Sequence, residues 1–338
     1  VTVSIRDVAT LAGVSVGTVS NVLNRPDAVS AASVERVNSA IETLGYVRND
    51  AARQLRAGIS TTVGFVALDG RNPFFADVVA GAENEATSRG LALLHGNSDE
   101  DAARESLYID LFEQQMVRGL LIAPFGDVTA RLRRLRARGI PSVLIDRFSG
   151  DGSVSSVSVD SVAGGRLAAE HLLERGRRRI AFVGGGFDIR QVTDRLAGAR
   201  SAVDNSEHAA TLEVVPTHAM TVEEGVSAGR RLLARERRDR PDAVFAANDL
   251  LALGLLQSLV VDGRMLVPHE IAVVGFDDIS FAAAAAVPLT SVRQPSALIG
   301  GTAMRILLDE ALDPDRPTRQ TVFSPQLIAR ASTSVETL

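Results

Sequence analysis

The chain has 338 residues, 46% of them apolar, which is enough for two or three domains with cores of their own. It has no cysteine, which excludes a disulfide framework, a thiolate nucleophile and a cysteine-ligated metal. The net charge of −5 gives no overall attraction to nucleic acid, although DNA binding needs only local positive charge. In the first 58 residues Arg6, Arg25, Arg36, Arg48, Arg53 and Arg56 outnumber Asp7, Asp27, Glu35, Glu42 and Asp50 by one, while the rest is acidic. All 36 basic residues are arginine, which reads as codon bias rather than function. The N-terminus enters a capped helix without a basic-then-apolar signal segment, and no apolar run approaches membrane-spanning length. The expectation is a cytoplasmic protein with no membrane partner.

Two short helices come first. Ser4 can cap one, with Asp7 completing a capping box. Val8 and Leu11 give it an apolar face, and Ala9 and Ala12 leave room for a neighbour. Gly13 supplies a turn that a residue with a Cβ adopts reluctantly. Ser15 can cap the second helix, in which Val16, Val19 and Leu23 repeat at i, i+3 and i+7. This is a helix-turn-helix pattern whose second helix fits a DNA major groove. A helical hairpin with no DNA role has the same geometry. A third helix, with Ser30 as its cap, carries Val34, Val37, Ile41 and Leu44 on one stripe and ends at Gly45.

Residues 46–60 form a link. Asn49 can cap a helix of barely two turns, Asp50 to Arg56, ended by Gly58. So short a helix needs packing to form, and a plain interdomain linker is the alternative. From Thr61 onward strands and helices alternate: TTVGFVAL, a helix over about 74–89, LALLHG, a helix over 102–116, GLLIAPF, a helix near 130–138, then SVLID and VSSVSVD. A helix over about 162–175 and RIAFVGG open a second, similar series. It continues with a helix near 195–203, TLEVV, a helix near 222–235, DAVFAAN, a helix over about 249–261 and IAVVGFDD. LTSVRQ, a helix over 296–311 and short strands close the chain. This order predicts parallel sheets in two similar subdomains, with ligands outside the carboxyl ends of the strands.

DVATLAGVSVGTVSNVLN, with VSAASVERVNSAIETLGYVRNDAARQLRAG after it, resembles the headpiece of the lac repressor (LacI/GalR) family, without a gap. The remainder is similar to the effector-binding core of that family and to periplasmic sugar-binding proteins. The resemblance implies an all-α helix-turn-helix headpiece plus an α/β core of two parallel-sheet subdomains. It places the headpiece at 1–48, a hinge helix and linker at 49–60, one subdomain at 61–160 with 292–322, and the other at 161–291 with 323–338. It also implies a repressor that binds a near-palindromic operator in double-stranded DNA as a homodimer, controlled by a small effector such as a sugar or polyol. QLIARASTSVETL after Pro325 lacks leucine heptads, which favours a dimer over a tetramer.

By the same resemblance Val16, Gly17 and Asn21 hold base-reading positions; Ser15, Thr18, Ser20 and Asn24 are candidates for phosphate contact, with a cap or plain surface role as the equal alternative for each, and Arg25 is a further DNA-binding candidate. Ala52, Leu55 and Arg56 belong to a hinge that enters the minor groove, with Leu55 as the wedge. The effector candidates are Phe74 or Phe75 as an aromatic wall, Asp146, Arg147, Asp160, Arg195, Asn248 and Asp277. Asp249 is expected to cap a helix. Ile189 stands where purine-binding members have an arginine, and Met220 where they have a stacking phenylalanine. Gly184, Gly185 and Gly186 could cradle a phosphate only weakly, because no Lys-Ser/Thr partner follows.

No catalytic constellation is visible. His95, His171, His208, His218 and His269 are scattered without metal or triad spacing, and His95 and His171 read as structural. The expectation is no enzyme, no metal and no cofactor beyond the effector. A solute-binding transport protein, or a regulator with a vestigial cleft and a protein co-regulator, would share the core.

Overall fold

A computed structural model describes residues 3–46 and 60–334. The chain divides into two units, Val1–Ile59 and Ser60–Leu338, and each is described by itself. The hinge residues Ala52, Leu55 and Arg56 lie outside the described residues.

The first unit holds α1 (Ile5–Ala12), α2 (Val16–Asn24) and α3 (Ala31–Leu44). Their shared core is Val8, Ala9, Ala12, Val19, Val22, Val37 and Ala40. The Asp7 carboxylate accepts from the Ser4 N–H at 2.8 Å and from the Ser4 hydroxyl at 2.7 Å. Gly13 and Gly45 close α1 and α3 in the left-handed conformation. Three expectations change here. Leu11 is 53% exposed, because the small Ala9 and Ala12 take the inner face of α1 and bring its neighbours close. Val16 is also exposed, and Val22 takes its place in the core. Ser30 stands at the start of α3, but its hydroxyl donates to Ser33 Oγ at 3.0 Å and caps no backbone N–H.

The second unit contains two six-stranded sheets. The first is built from β1 (Thr62–Ala67), β2 (Ala92–Asn97), β3 (Leu120–Ile122), β4 (Ser142–Ile145), β5 (Ser155–Val159) and β11 (Gln320–Phe323), in the order β11-β5-β4-β3-β1-β2. The second has β6 (Arg179–Gly185), β7 (Thr211–Thr217), β8 (Ala243–Ala246), β9 (Ala272–Asp277), β10 (Thr290–Arg293) and β12 (Gln326–Ile328), in the order β12-β10-β9-β8-β6-β7. The two orders are the same when β6 is matched to β1, so the repeated pattern in the sequence is a repeated architecture. All pairs are parallel except β10 with β12, an antiparallel edge that departs from the expected parallel order. The inner strands are buried on both faces because helices cover both, as parallel sheets require, while the edge strands β2, β7, β11 and β12 are partly exposed.

The helices are α4 (Pro73–Thr87), α5 (Ala102–Gln114), α6 (Thr129–Ala137), α7 (Ser161–Glu174), α8 (Arg190–Asp204), α9 (Val222–Leu233), α10 (Asp249–Leu256), α11 (Ser280–Ala284) and α12 (Ser296–Leu312). Among the described residues no helix is long and apolar enough to cross a membrane. The chain passes between the sheets three times. The first passage follows Val159, the last residue of β5. The second comes after Arg293, because Val292 and Arg293 still pair with Phe276 and Asp277; the expected boundary at 291/292 is therefore two residues early. The third follows Phe323, which pairs with Val159 in the first sheet, so residue 323 stays there.

Glycines set the helix packing. A Cβ on Gly165 of α7 would stand 2.0 Å from the Arg195 carbonyl oxygen, and one on Gly198 of α8 would stand 1.9 Å from that of Val162. The two helices cross backbone to backbone, and this fixes where the Arg195 side chain starts. His171 is buried and bonds Thr333 Oγ1 at 2.7 Å, and burial lowers its pKa. His95, by contrast, is exposed on the edge strand β2, so its expected core role does not hold.

Candidate functional site

In the first unit α2 presents Val16, Gly17, Asn21, Asn24 and Arg25 to solvent while Val19 and Val22 anchor it. Ser15 Oγ accepts from the Thr18 N–H at 3.0 Å and lies 2.9 Å from Thr18 Oγ1. Asn24 Nδ2 donates to the Ser20 carbonyl at 2.7 Å. Two of the phosphate candidates are thus bonded to each other, and two more are tied along the helix. The helix carries no acid, and its N-terminal N–H groups form an anion-favouring end. A Cβ on Gly17 would meet only Ser15 Oγ, at 3.5 Å, so packing does not require glycine there.

In the second unit a buried polar cluster joins the two subdomains at the carboxyl ends of β1, β4, β6, β9 and β10. Asn72, in the loop after β1, donates from Nδ2 to Asp277 Oδ2 at 3.0 Å, and its Oδ1 accepts from the Phe74 N–H at 3.0 Å, capping α4. Gln191, in the first turn of α8, donates from Nε2 to the Asp146 carbonyl oxygen and to Asp146 Oδ2, the latter at 3.2 Å. Gln294, after β10, donates to Asp277 Oδ1 at 2.7 Å. Each carboxylate is therefore held by an amide from the opposite subdomain or from the passage between them.

Arg195 lies among these groups. Its Nη1 donates to the Ala247 carbonyl at 2.7 Å, its Nη2 is 3.8 Å from Asp277 Oδ1, and its guanidinium lies 3.7 Å over the Phe276 ring. One cation thus serves two buried acids. Burial pushes Asp146 up to about 7, helped by the charge of Asp277 and opposed by Arg195 and Gln191. Burial also raises Asp277, against Arg195, Asn72 and Gln294. Asp146 and Asp277 have φ of 54° and 108°, in the left-handed region, a strained geometry that concentrates at functional sites. Asp146 Oδ1, Arg195 Nε and Gln294 Oε1 are buried without a hydrogen-bond partner. These atoms converge on one place and have hydrogen-bonding capacity that a ligand could use.

Of the effector candidates, the structure brings Asp146, Arg195 and Asp277 together. Phe74 and Phe75 are both buried in the apolar core, with their rings edge to face at 5.1 Å. The other three candidates fall elsewhere. Asp160 is exposed and caps α7 by accepting from the Ala163 N–H at 2.8 Å. Asn248 is the cap of α10, accepting from the Leu251 N–H at 3.0 Å and donating to the Met220 carbonyl at 3.1 Å. Asp249 caps nothing; it accepts from Ser291 Oγ at 2.6 Å and from the Ile279 N–H at 2.9 Å, and burial holds its pKa far above the usual range. Arg147 turns away from Asp146, donates to the Gly126 carbonyl and lines an outer depression with Phe148 and Arg190. Ile189 is buried, and α8 begins after it, five residues before Arg195. Gly184 and Gly185 belong to β6, where a Cβ on Gly185 would stand 1.6 Å from the Thr217 carbonyl oxygen; packing accounts for glycine there. The reading missed Asn72, Gln191 and Gln294. The signal for Asn72 was its place directly before Pro73 at a helix start, where a capping side chain belongs.

Residues 4–49 match the model for bacterial regulatory proteins of the lacI family, and residues 169–333 match the periplasmic binding protein-like domain. The chain is 32% identical to the HTH-type transcriptional repressor PurR of Vibrio atlanticus over 97% of its own length and 98% of the relative's. It superposes on a solved complex of the transcriptional regulator CelR with cellobiose (34% identity, TM-score 0.71, covering 98% of this chain and 99% of that one). It also superposes on a lac repressor dimer bound to operator and an anti-inducer (26% identity, TM-score 0.83, covering 99% and 100%). On these grounds the chain belongs to the lacI family of bacterial regulatory proteins, a family of DNA-binding transcriptional repressors and not of enzymes.

Proposed function

We propose that this repressor binds a near-palindromic operator as a homodimer, and that a sugar or polyol in the cleft between its subdomains controls that binding. One observation carries the effector reading: the buried Asp146–Arg195–Asp277 cluster, bridged by Gln191 and Asn72, in which three polar atoms lack partners. Hydroxyl groups can both donate to and accept from such a set. Buried Ile189 offers no cation for a purine, and the solved relative with cellobiose is consistent with a carbohydrate. Asp146, Arg195 and Asp277 are the contacts, with Gln191, Gln294 and Asn72 beside them; Asp160, Asn248 and Arg147 are not.

Leu107 and Leu111, one turn apart on α5, are exposed together with Leu94 on the edge strand β2. Such apolar surface fits burial against a second copy. The two-fold of a dimer would then place two α2 helices on matching half-sites. Binding in the cleft shifts the balance between open and closed subdomains, and through Ala52, Leu55 and Arg56 it sets affinity for the operator in the cytoplasm.

The test is a salt-controlled selection of DNA by the full chain, repeated with Leu55→Ala. A palindromic site lost in the variant is expected, and a sugar panel is then read as release or tightening on that site. Binding that is sensitive to salt but indifferent to sequence would refute the reading.

A further inference from the structure

We propose that the cleft selects an effector with no ionised acidic group: a free polyhydroxyl compound, and not its phosphate ester or its carboxylate form. This rests on the cleft reading above. The closed cleft already buries Asp146 and Asp277 against the guanidinium of Arg195, so that charge is answered from within the protein and none is left over for an anionic ligand. That guanidinium is committed, by its bond to the Ala247 carbonyl, its approach to Asp277 and its seat on Phe276. Of the unpartnered atoms, Gln294 Oε1 can only accept, Asp146 Oδ1 accepts whenever its carboxyl is ionised, and Arg195 Nε is a single donor. The site therefore asks a ligand mainly for hydrogens. A hydroxyl supplies them, whereas the oxygens of a phosphate dianion supply none.

Two helix N-termini at the carboxyl ends of the strands are already taken, although that of α8, after Ile189, carries no side-chain cap. The N-terminus of α4 is capped by Asn72 and that of α10 by Asn248. In the outer depression, Arg190 lies 3.5 Å from Asp194 and Arg133 lies 2.8 Å from Asp151, while Arg147 is bonded to the Gly126 carbonyl. Bringing a like charge against buried carboxylates is among the strongest discriminators available to a binding site.

The experiment uses the full chain in thermal-shift and calorimetric titrations at neutral pH. The probes are ribose, glucose, galactose, fructose and trehalose, each against its own monophosphate ester, with gluconate and inorganic phosphate as anion controls. The sugar that binds is expected to do so about 100-fold or more tightly than its ester. An ester within tenfold of its parent sugar, or tighter, overturns the inference while leaving a carbohydrate cleft standing. Binding by no probe overturns the carbohydrate reading itself, and the inference falls with it. Asp277→Asn, checked for folding by circular dichroism, is expected to narrow the sugar-to-ester ratio at least tenfold. An unchanged ratio in a folded variant counts against the charge argument, and the wild-type ratio stands as a test should the variant not fold.

Discussion

The Asn72 amide nitrogen lies 3.0 Å from Asp277 Oδ2, across 205 positions of sequence and across the cleft. Asn72 also caps α4, so one side chain ties the start of a helix in one subdomain to a strand end in the other. The two roles can be separated. Asn72→Ser keeps a capping oxygen but is too short to reach Asp277. It should lower stability by about 1.5–3 kcal/mol, the worth of a hydrogen bond to a charged group. Asn72→Ala should cost about 1 kcal/mol more, through the lost cap. Urea unfolding measures both, and equal losses would mean that the cap contributes nothing.

Asp146 predicts a pH dependence. Its pKa is about 7 in the fold against 3.8 as the ordinary value, so the folded chain holds the extra proton between about pH 4 and 7. A group raised in this way stabilises the fold at low pH, and that stability is lost as pH rises towards 7. The loss is on the order of 4 kcal/mol if the cleft stays shut. Asp277 and Asp249 are raised as well and act in the same direction. Asp7, Asp101 and Asp309 are lowered by their hydrogen bonds and act oppositely, below about pH 4. The readout is the difference in melting temperature between wild type and Asp146→Asn. The variant should gain relative stability as pH climbs from 5 to 8, and a flat difference would place the proton elsewhere.

The close crossing of α7 and α8 gives a third expectation. Gly165→Ala would put a methyl group 2.0 Å from the Arg195 carbonyl, against backbone that cannot rotate away. Overpacking of this kind costs about 1–3 kcal/mol or more. It should also weaken effector binding, because Arg195 moves with its helix. Alanine at the exposed Gly90, where a Cβ meets nothing, provides a comparison whose cost comes from its positive φ alone.

Gly17 predicts the reverse. With no packing demand on it, Gly17→Ala should leave the headpiece folded and up to about 1 kcal/mol more stable, since alanine favours a helix. Operator affinity should nevertheless fall or change its sequence preference, because a methyl group would stand on the exposed face of α2. A melting curve and a binding titration together decide it. A variant that is less stable and binds as before would show that the glycine serves the fold.

The helix-turn-helix, the paired sheets and the three central site residues were legible because each depends on local pattern: capping residues, apolar period, or an acid at a strand end. The errors arose where two neighbouring residues carry the same local signal. Asn248 and Asp249 both suit a helix start, and only the depth of Ser291 and Ile279 shows that the aspartate braces the interior while the asparagine caps. Leu11 looked like core because it is large, yet two alanines bury better where helices approach closely. Gln191 and Gln294 carry no signal in sequence. They become visible only when the chain's passages bring them to Asp146 and Asp277.

Those passages also set the order of assembly. The subdomain that begins with β1 lacks α12, which packs on α4, and β11, which pairs with β5, until residues 296–323 have been made. Ser156 waits for Gln320, 164 positions later. On the ribosome the sheet started first is therefore finished nearly last, with apolar strands in need of cover while the other sheet is being laid down. A nascent chain released before Phe323 would carry a complete headpiece and an unfinished core. Late stop codons in this gene should therefore yield aggregation-prone products rather than shortened regulators.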